Sequence, residues 1–509
     1  MSSPRSRAAE VSLDFNIVYI SPELILAVGG MLVLAVSLGY RKWAVPGKVT
    51  PLSPEMLSIL VLAAALAASI FLATKPGVHK GVSQFGGLMA VDALAVLFKI
   101  IAAFSAIVVA VLAIDYFQGM RIHRGEFYAL LIFAVLAINS LAASTDMIMI
   151  YLSIEFLSLT SYVLVGYLKQ DPRSNEAAVK YFLFGAVAAA VMLYGMTILY
   201  GISATTNIRE MNAIFTRITP AHLPSHILFL AALMIMIGFG FKIAMVPFHQ
   251  WAPDAYEGAP TPITAFLSVA SKAAGFAVIV RVFSTALHPD MVNWGPVMMV
   301  LSGFTMSVGN LTAIPQVNIK RMLAYSSIGQ AGYLLIGIAA IRYSPLAIPA
   351  TLLYLFIYVF MNLGAFAVVT LVSTRINSDD IRDYAGLAKR APFAAASMVF
   401  FLLALAGIPP TAGFLAKFYL FSAAIQPQDG HLLALTIVAI ANAVISVYYY
   451  MNVVRVMFFV KAKDETPLAP SPAMNFVVGL TLAATLVILL YPQPFIELAH
   501  ASAKMLAAM

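Results

Sequence analysis

Apolar runs close to twenty residues long recur from one end of this chain to the other, separated by short polar loops. One helix needs about 20 such residues to cross the hydrocarbon of a bilayer. Fourteen spans are expected, at about 17–39, 55–74, 88–117, 126–144, 146–168, 174–201, 225–256, 261–286, 291–313, 320–342, 349–374, 392–424, 431–459 and 474–491. Composition excludes the alternative. With 62% hydrophobic and 10% charged residues, and a mean hydropathy of +0.93, no soluble domain could cover its own apolar surface. The fold class is therefore all-α, a polytopic membrane protein. The first sixteen residues, MSSPRSRAAEVSLDFN, lack an apolar core followed by a small-residue cleavage site. They read as a polar lead.

Charge fixes an orientation. The formal net charge of +8 could suggest nucleic acid, but the basic residues sit in short loops between apolar runs. That is the positive-inside pattern, so no nucleic-acid partner is expected. Loops after odd-numbered spans hold sixteen Lys and Arg. Loops after even-numbered spans, with both termini, hold eight, and six lie inside spans. Odd loops such as 41–48 and 375–390 should face the cytoplasm. Loops 75–80 and 209–217, with both termini, should face outward.

Two spans are interrupted. From Gly238 to Phe276, Pro247, Pro253, Pro260 and Pro262 break an otherwise apolar stretch. Lys242 stands just before the first proline, and Lys272 lies deep in the next run. Span twelve, ALAGIPPTAGFLAKFYLF, carries Gly407, Pro409, Pro410 and Gly413, then Lys417. Spans seven and twelve are five crossings apart and so run in opposite directions. That is the geometry of an inverted repeat with one broken helix in each half. The expected division is a lead over 1–16, helices 1–3 over 17–117, one five-helix repeat over 126–286 (helices 4–8), a second over 291–459 (helices 9–13), and helix 14 with a tail over 474–509. Two unrelated proline kinks are the plainer alternative.

Ionisable residues at membrane depth are costly and are by default functional candidates. Of the twenty-two carboxylates only Glu155 falls near mid-span, which makes it the obvious partner for a deep lysine. One glutamate against Lys180, Lys242, Lys272 and Lys417 leaves positive charge to be paired elsewhere, hydrated or neutralised. Lysines whose protonation can be shifted can carry protons. Lys180 is near its helix start, where snorkelling is the competing role. Lys99 and Arg281 read as structural. His249, two residues past Pro247, is either a relay or a packing histidine. There are no cysteines, so there is no disulfide, thiolate chemistry, or cysteine-ligated cluster or zinc. Phosphate-loop, haem-type and zinc signatures are missing as well. The chain reads as a mover of charge, with no redox chemistry of its own.

HQWAPDAYEGAPTPITAF, flanked by one lysine on each side, resembles the antiporter-like membrane subunits of respiratory complex I, the NADH:quinone oxidoreductase. YEGAPTP, Lys272 in span eight and Lys417 in span twelve are most similar to the subunit N branch, the equivalent of mitochondrial subunit 2. The sister branch M would carry glutamate where Lys417 stands. The sister branch L would be longer, with a lateral helix. The resemblance implies a proton-translocating subunit of a proton-pumping enzyme. Glu155 and Lys242 would form the input pair, Lys180 and Lys272 a central polar axis, and Lys417 the exit side. It implies no cofactor in this chain, with NADH, FMN, iron–sulfur clusters and quinone held by other subunits. Partners would be the sister subunit M, the adjacent small membrane subunits and the lipid of a bacterial inner membrane. A subunit of a multisubunit cation/proton antiporter is the alternative. A scaffold whose buried charges only lock helix packing is a third reading.

Overall fold

The computed structural model describes residues 15–40, 53–120, 122–217, 225–462, 464–469 and 471–507. Most of the polar lead, the loop bearing Arg41, Lys42 and Lys48, and Arg121 and Lys463 lie outside these residues. Thirteen described helices are long and apolar enough to span a membrane, from Ser21–Gly39 to Pro472–Leu490. Two shorter apolar helices, Pro392–Ala406 and Ala412–Ile425, occupy the remaining expected span. Each expected span therefore has a helical counterpart.

Loops of like parity lie together. At one end, even-numbered loops bind one another. Thr145 donates its N–H to the Leu88 carbonyl at 3.0 Å, and Asn207 Nδ2 donates to the Gly87 carbonyl at 3.1 Å. At the other end, Ile319 N–H donates to Asp379 O at 2.9 Å and Ile381 N–H to Val317 O at 2.8 Å, joining two odd-numbered loops.

A hairpin and two amphipathic helices are elements the span reading does not contain, and the hairpin's second strand takes the first residues of the expected span 88–117, whose helix starts at Ala93. A two-stranded hairpin pairs Val82–Gln84 with Met89–Val91 at the even-loop end. Its turn uses Gly86 and Gly87 at φ of +64° and +96°, a region glycine enters without steric cost. The helices Ile208–Arg217 and Gln493–Ala507 are polar on one face, and the second turns the expected C-terminal tail into structure.

Burial sorts the helices into a centre and a rim. Thr261–Ser284 is buried along its whole apolar window, Ile319–Ala339 over 94% and Ala347–Ile376 over 89%. The first two helices bury only 28% of theirs. Outward faces carry Leu183, Val187 and Val444, as a lipid-facing surface does. Two buried ion pairs fix the N-terminal helices, one to the centre and one to each other. Asp92 caps Ala93–Tyr116 through Ala95 N–H at 2.8 Å and receives both Arg281 guanidinium nitrogens, at 2.8 and 2.9 Å. Lys99 meets Glu23 at 2.6 Å. In a helix bundle without water, a bidentate arginine pair of this kind fixes register.

Candidate functional site: buried lysines at two helix breaks

The first break begins where Ser225–Ile243 ends. Ala244 adopts φ +59°, the Val246–Pro247 bond is cis, and a short helix, Trp251–Gly258, follows. Backbone groups freed inside a membrane need partners. Here Val246 N–H donates to Thr305 Oγ1 at 3.1 Å, and Trp251 Nε1 donates to the Phe241 carbonyl at 3.0 Å. Lys242, only 2% exposed, occupies the last turn of Ser225–Ile243, where a helix C-terminus favours a cation. It donates to Ser158 Oγ at 3.2 Å. Ser158 is one turn from Glu155 on Met147–Val165, so Lys242 bonds the helix face that also carries the glutamate. Among the described residues they form no direct ion pair; the serine stands at their junction.

Lys272 lies at the join between a π-type bulge, Leu267–Ser271, and the helix Lys272–Ser284. Such bulges are frequent at functional sites. Its ammonium donates to Ser327 twice, to the backbone carbonyl and to Oγ, the latter at 2.5 Å. One turn on, at Gly275, an added Cβ would lie 3.5 Å from the Lys242 stem, so the two lysine-bearing segments pack face to face.

The second break follows Pro392–Ala406. Gly407 takes φ +82°, the Pro409–Pro410 bond is cis, and Thr411 caps the next half-helix through Phe414 N–H at 3.3 Å. Lys417, on the second half-helix, turns back across Gly407. It donates to the carbonyls of Leu405 at 3.1 Å and Ala406 at 2.8 Å, and its ammonium stands 4.5 Å from the Tyr333 ring centroid.

Buried polar side chains stand between Lys272 and Lys417, in two hydrogen-bonded groups that meet at the neighbouring residues Ser327 and Ser326. Ser327 Oγ accepts from Tyr358 at 2.9 Å, and its neighbour Ser326 contacts Tyr450 at 2.5 Å. Gln330 Nε2 donates to Tyr450 Oη at 3.3 Å and to the Leu405 carbonyl at 2.9 Å, the oxygen that also receives Lys417. Tyr354 donates to the Gln330 amide oxygen. All of these groups are buried. No sequence signal marks them, because single Ser, Gln and Tyr residues in apolar helices ordinarily serve packing.

The remaining two candidates are placed differently. Lys180 is 41% exposed at its side chain and pairs with Glu176 at 2.7 Å and Asp254 at 2.8 Å. Arg321 joins the same cluster, to Asp254 at 2.6 Å and Glu257 at 2.9 Å. This cluster anchors the short helix Trp251–Gly258. The buried residue beside it is Tyr181, stacked on Trp251 with centroids 4.1 Å apart. His249 is half-buried in the first break, and its Nδ1 makes no hydrogen bond among the described residues.

Comparison with known proteins places this geometry in a family. A family model described as NADH:quinone oxidoreductase/Mrp antiporter, TM matches residues 144–446, the region that holds both breaks and Lys180, Lys242, Lys272 and Lys417. The NADH-quinone oxidoreductase subunit N of Heliobacterium modesticaldum is 45% identical over 83% of this chain and 88% of its own length. The subunit N of Desulfitobacterium hafniense is 38% identical over 97% of this chain and 99% of its own. Among solved structures, a chain of respiratory complex I from Thermus thermophilus with bound aureothin aligns at a TM-score of 0.77. It shares 29% identity over 94% of this chain and 99% of that one. The chain belongs to the NADH-quinone oxidoreductase subunit N family of antiporter-like membrane proteins.

Proposed function

We propose that this chain carries protons across the membrane as the antiporter-like subunit of a proton-pumping NADH:quinone oxidoreductase. The path runs from Glu155 and Lys242 through Lys272 to Lys417. The observation that supports it is the set of buried polar groups, Ser327, Ser326, Tyr450 and Gln330, that stands between two buried lysines. Hydroxyl groups both donate and accept, so Ser and Tyr can pass a proton where an apolar side chain cannot. Each lysine has acceptors for its ammonium but no carboxylate in direct contact. Its proton is held by dipoles and hydroxyls, and a modest change nearby can release it. Glu155, one helical turn from Ser158, is the charge placed to supply that change at Lys242. Lys180 anchors the short helix from the surface, and His249 stands beside the path in the first break.

In this reading the two broken helices mark the repeats 126–286 and 291–459, each contributing one half of the path. The odd-numbered loops face the cytoplasm and the termini the outside of a bacterial inner membrane. The neighbours are the sister subunit M and small membrane subunits. NADH, FMN, iron–sulfur clusters and quinone belong to other chains of the complex. A second reading, a subunit of a multisubunit cation/proton antiporter, is favoured by the family description, which names both assemblies. The composition of the complex purified through this chain separates the two.

The test of the path is Lys272→Ala in the complete complex, reconstituted in vesicles. The complex should assemble and NADH-driven proton pumping should fall. Normal pumping would remove Lys272 from the path, and failure to assemble would favour a scaffold.

A further inference from the structure

We infer that Asn310 is a positioning residue for Lys417: it holds the Tyr333 ring against the lysine's ammonium, and the ring stands in for the carboxylate that Lys417 lacks. The inference rests on the reading above and adds the device that steadies its last lysine. An ammonium carries three N–H donors. The carbonyls of Leu405 and Ala406 take two from Lys417. The remaining contact among the described residues is the Tyr333 ring, 4.5 Å from Nζ to centroid. Both side chains are buried. The face of an aromatic ring attracts a cation, most strongly where both are out of water. A carboxylate in the same place would itself be a buried charge, costly whenever the lysine was neutral. The ring favours the ammonium and carries no charge of its own.

Tyr333 is fixed at its hydroxyl by a closed side-chain network. Asn310 Nδ2 donates to Tyr333 Oη at 3.1 Å and to Asn442 Oδ1 at 3.3 Å, and Asn310 Oδ1 accepts from Tyr449 Oη at 3.0 Å. Asn442 Nδ2 donates in turn to Ser307 Oγ at 3.2 Å and to the Val438 carbonyl at 3.0 Å. Each amide thus uses its nitrogen and its oxygen, and a satisfied buried network of this kind is rigid. Helix contact brings Asn310 to the ring. Where Gly295–Ala313 crosses Ile319–Ala339 the backbones touch. A Cβ added to Gly309 would lie 2.5 Å from Gly329 N, and one added to Gly332 2.5 Å from Met306 N. Small residues permit such an approach between membrane helices. Asn310 has no hydrogen bond to Lys417, Ser326, Ser327 or Gln330 among the described residues, so it acts on the lysine through the ring.

The experiment measures NADH-driven protons per electron in the complete complex, reconstituted in vesicles. Because the ratio is taken per electron, reduced recovery of complex alone does not move it. Tyr333→Phe keeps the ring and removes the hydroxyl that Asn310 holds. Asn310→Leu removes the hold from the other side, and Tyr333→Leu removes the ring. Tyr333→Phe and Asn310→Leu should each lower the ratio, and Tyr333→Leu should lower it further. The double variant Tyr333→Phe with Asn310→Leu should pump only as poorly as the worse of its two singles, since both remove one hydrogen bond. That comparison decides even where Tyr333→Leu does not assemble. A parental ratio in any of these variants, or losses that multiply in the double variant, would overturn the role of Asn310 in a complex where Lys417→Ala pumps less. A parental ratio in Lys417→Ala would overturn the path and the inference with it.

Discussion

The Nζ of Lys417 stands 2.8 Å from the carbonyl oxygen of Ala406, the last residue of the half-helix that precedes it in the same crossing. The ammonium therefore caps a helix C-terminus, where free carbonyls and the helix dipole favour a cation. A proton can rest there without a countercharge. The break that exposes those carbonyls and the lysine that uses them are one device.

Gly407 makes this approach possible. It sits at φ +82°, and an added Cβ would lie 2.7 Å from Lys417 Cδ. Gly407→Ala should cost about 1–2 kcal/mol in backbone strain alone and push the ammonium off its carbonyls. Pumping should fall and thermal inactivation of the complex should begin at lower temperature. Unchanged pumping and inactivation would show that the lysine stem has room to move.

Glu155 and Lys242 should act as one unit through Ser158. Glu155→Gln and Lys242→Ala should each impair NADH-driven pumping. The double variant should lose less than the sum, with a coupling of about 0.5–3 kcal/mol, as for residues in one network. Cleanly additive losses would leave Glu155 as helix-packing glue.

Buried and exposed ion pairs should separate in assembly. Arg281→Leu leaves Asp92 buried and unpaired, which costs about 3–5 kcal/mol. The amount of complex recovered from membranes should drop sharply. Lys180→Ala removes a half-exposed pair worth about 0–1 kcal/mol and should leave recovery unchanged. Equal recovery of the two would contradict the structural role given to Arg281.

Topology is open to thiol labelling on the cysteine-free chain. Lys80→Cys should react with an impermeant reagent from the outer face, and Arg382→Cys, 74% exposed, from the cytoplasmic face only. The reverse pattern would invert the orientation.

Much of this architecture was legible in the sequence. Length and apolarity must match the bilayer, so the spans show as runs, and Pro247 and the Pro409–Pro410 pair mark the breaks by chemistry alone. The deep lysines stand out because little else in those runs is charged. What stayed hidden depends on contacts across helices. Nothing local to Lys180 announces Asp254, 74 residues away. Gln330, Tyr450 and Ser327 share no spacing with the lysines they stand between. Lys242 looks like the partner of Glu155 by elimination, yet its hydrogen bond goes to Ser158, a residue with no charge to attract notice. The helix Gln493–Ala507 is too polar to read as a span and too short for its periodicity to stand out. Its His500 nevertheless holds Tyr419, two residues beyond Lys417, at 2.6 Å.

The central claim is that buried lysines of this chain carry the pumped proton. The most direct test is NADH-driven proton pumping per electron by the reconstituted complex with Lys417→Ala and with Lys417→Arg. Both complexes should assemble. Lys417→Ala should pump fewer protons per electron. Lys417→Arg should recover only part of the loss, because arginine keeps its proton and cannot cycle. A parental proton-to-electron ratio in Lys417→Ala, or full recovery by Lys417→Arg, would contradict the account.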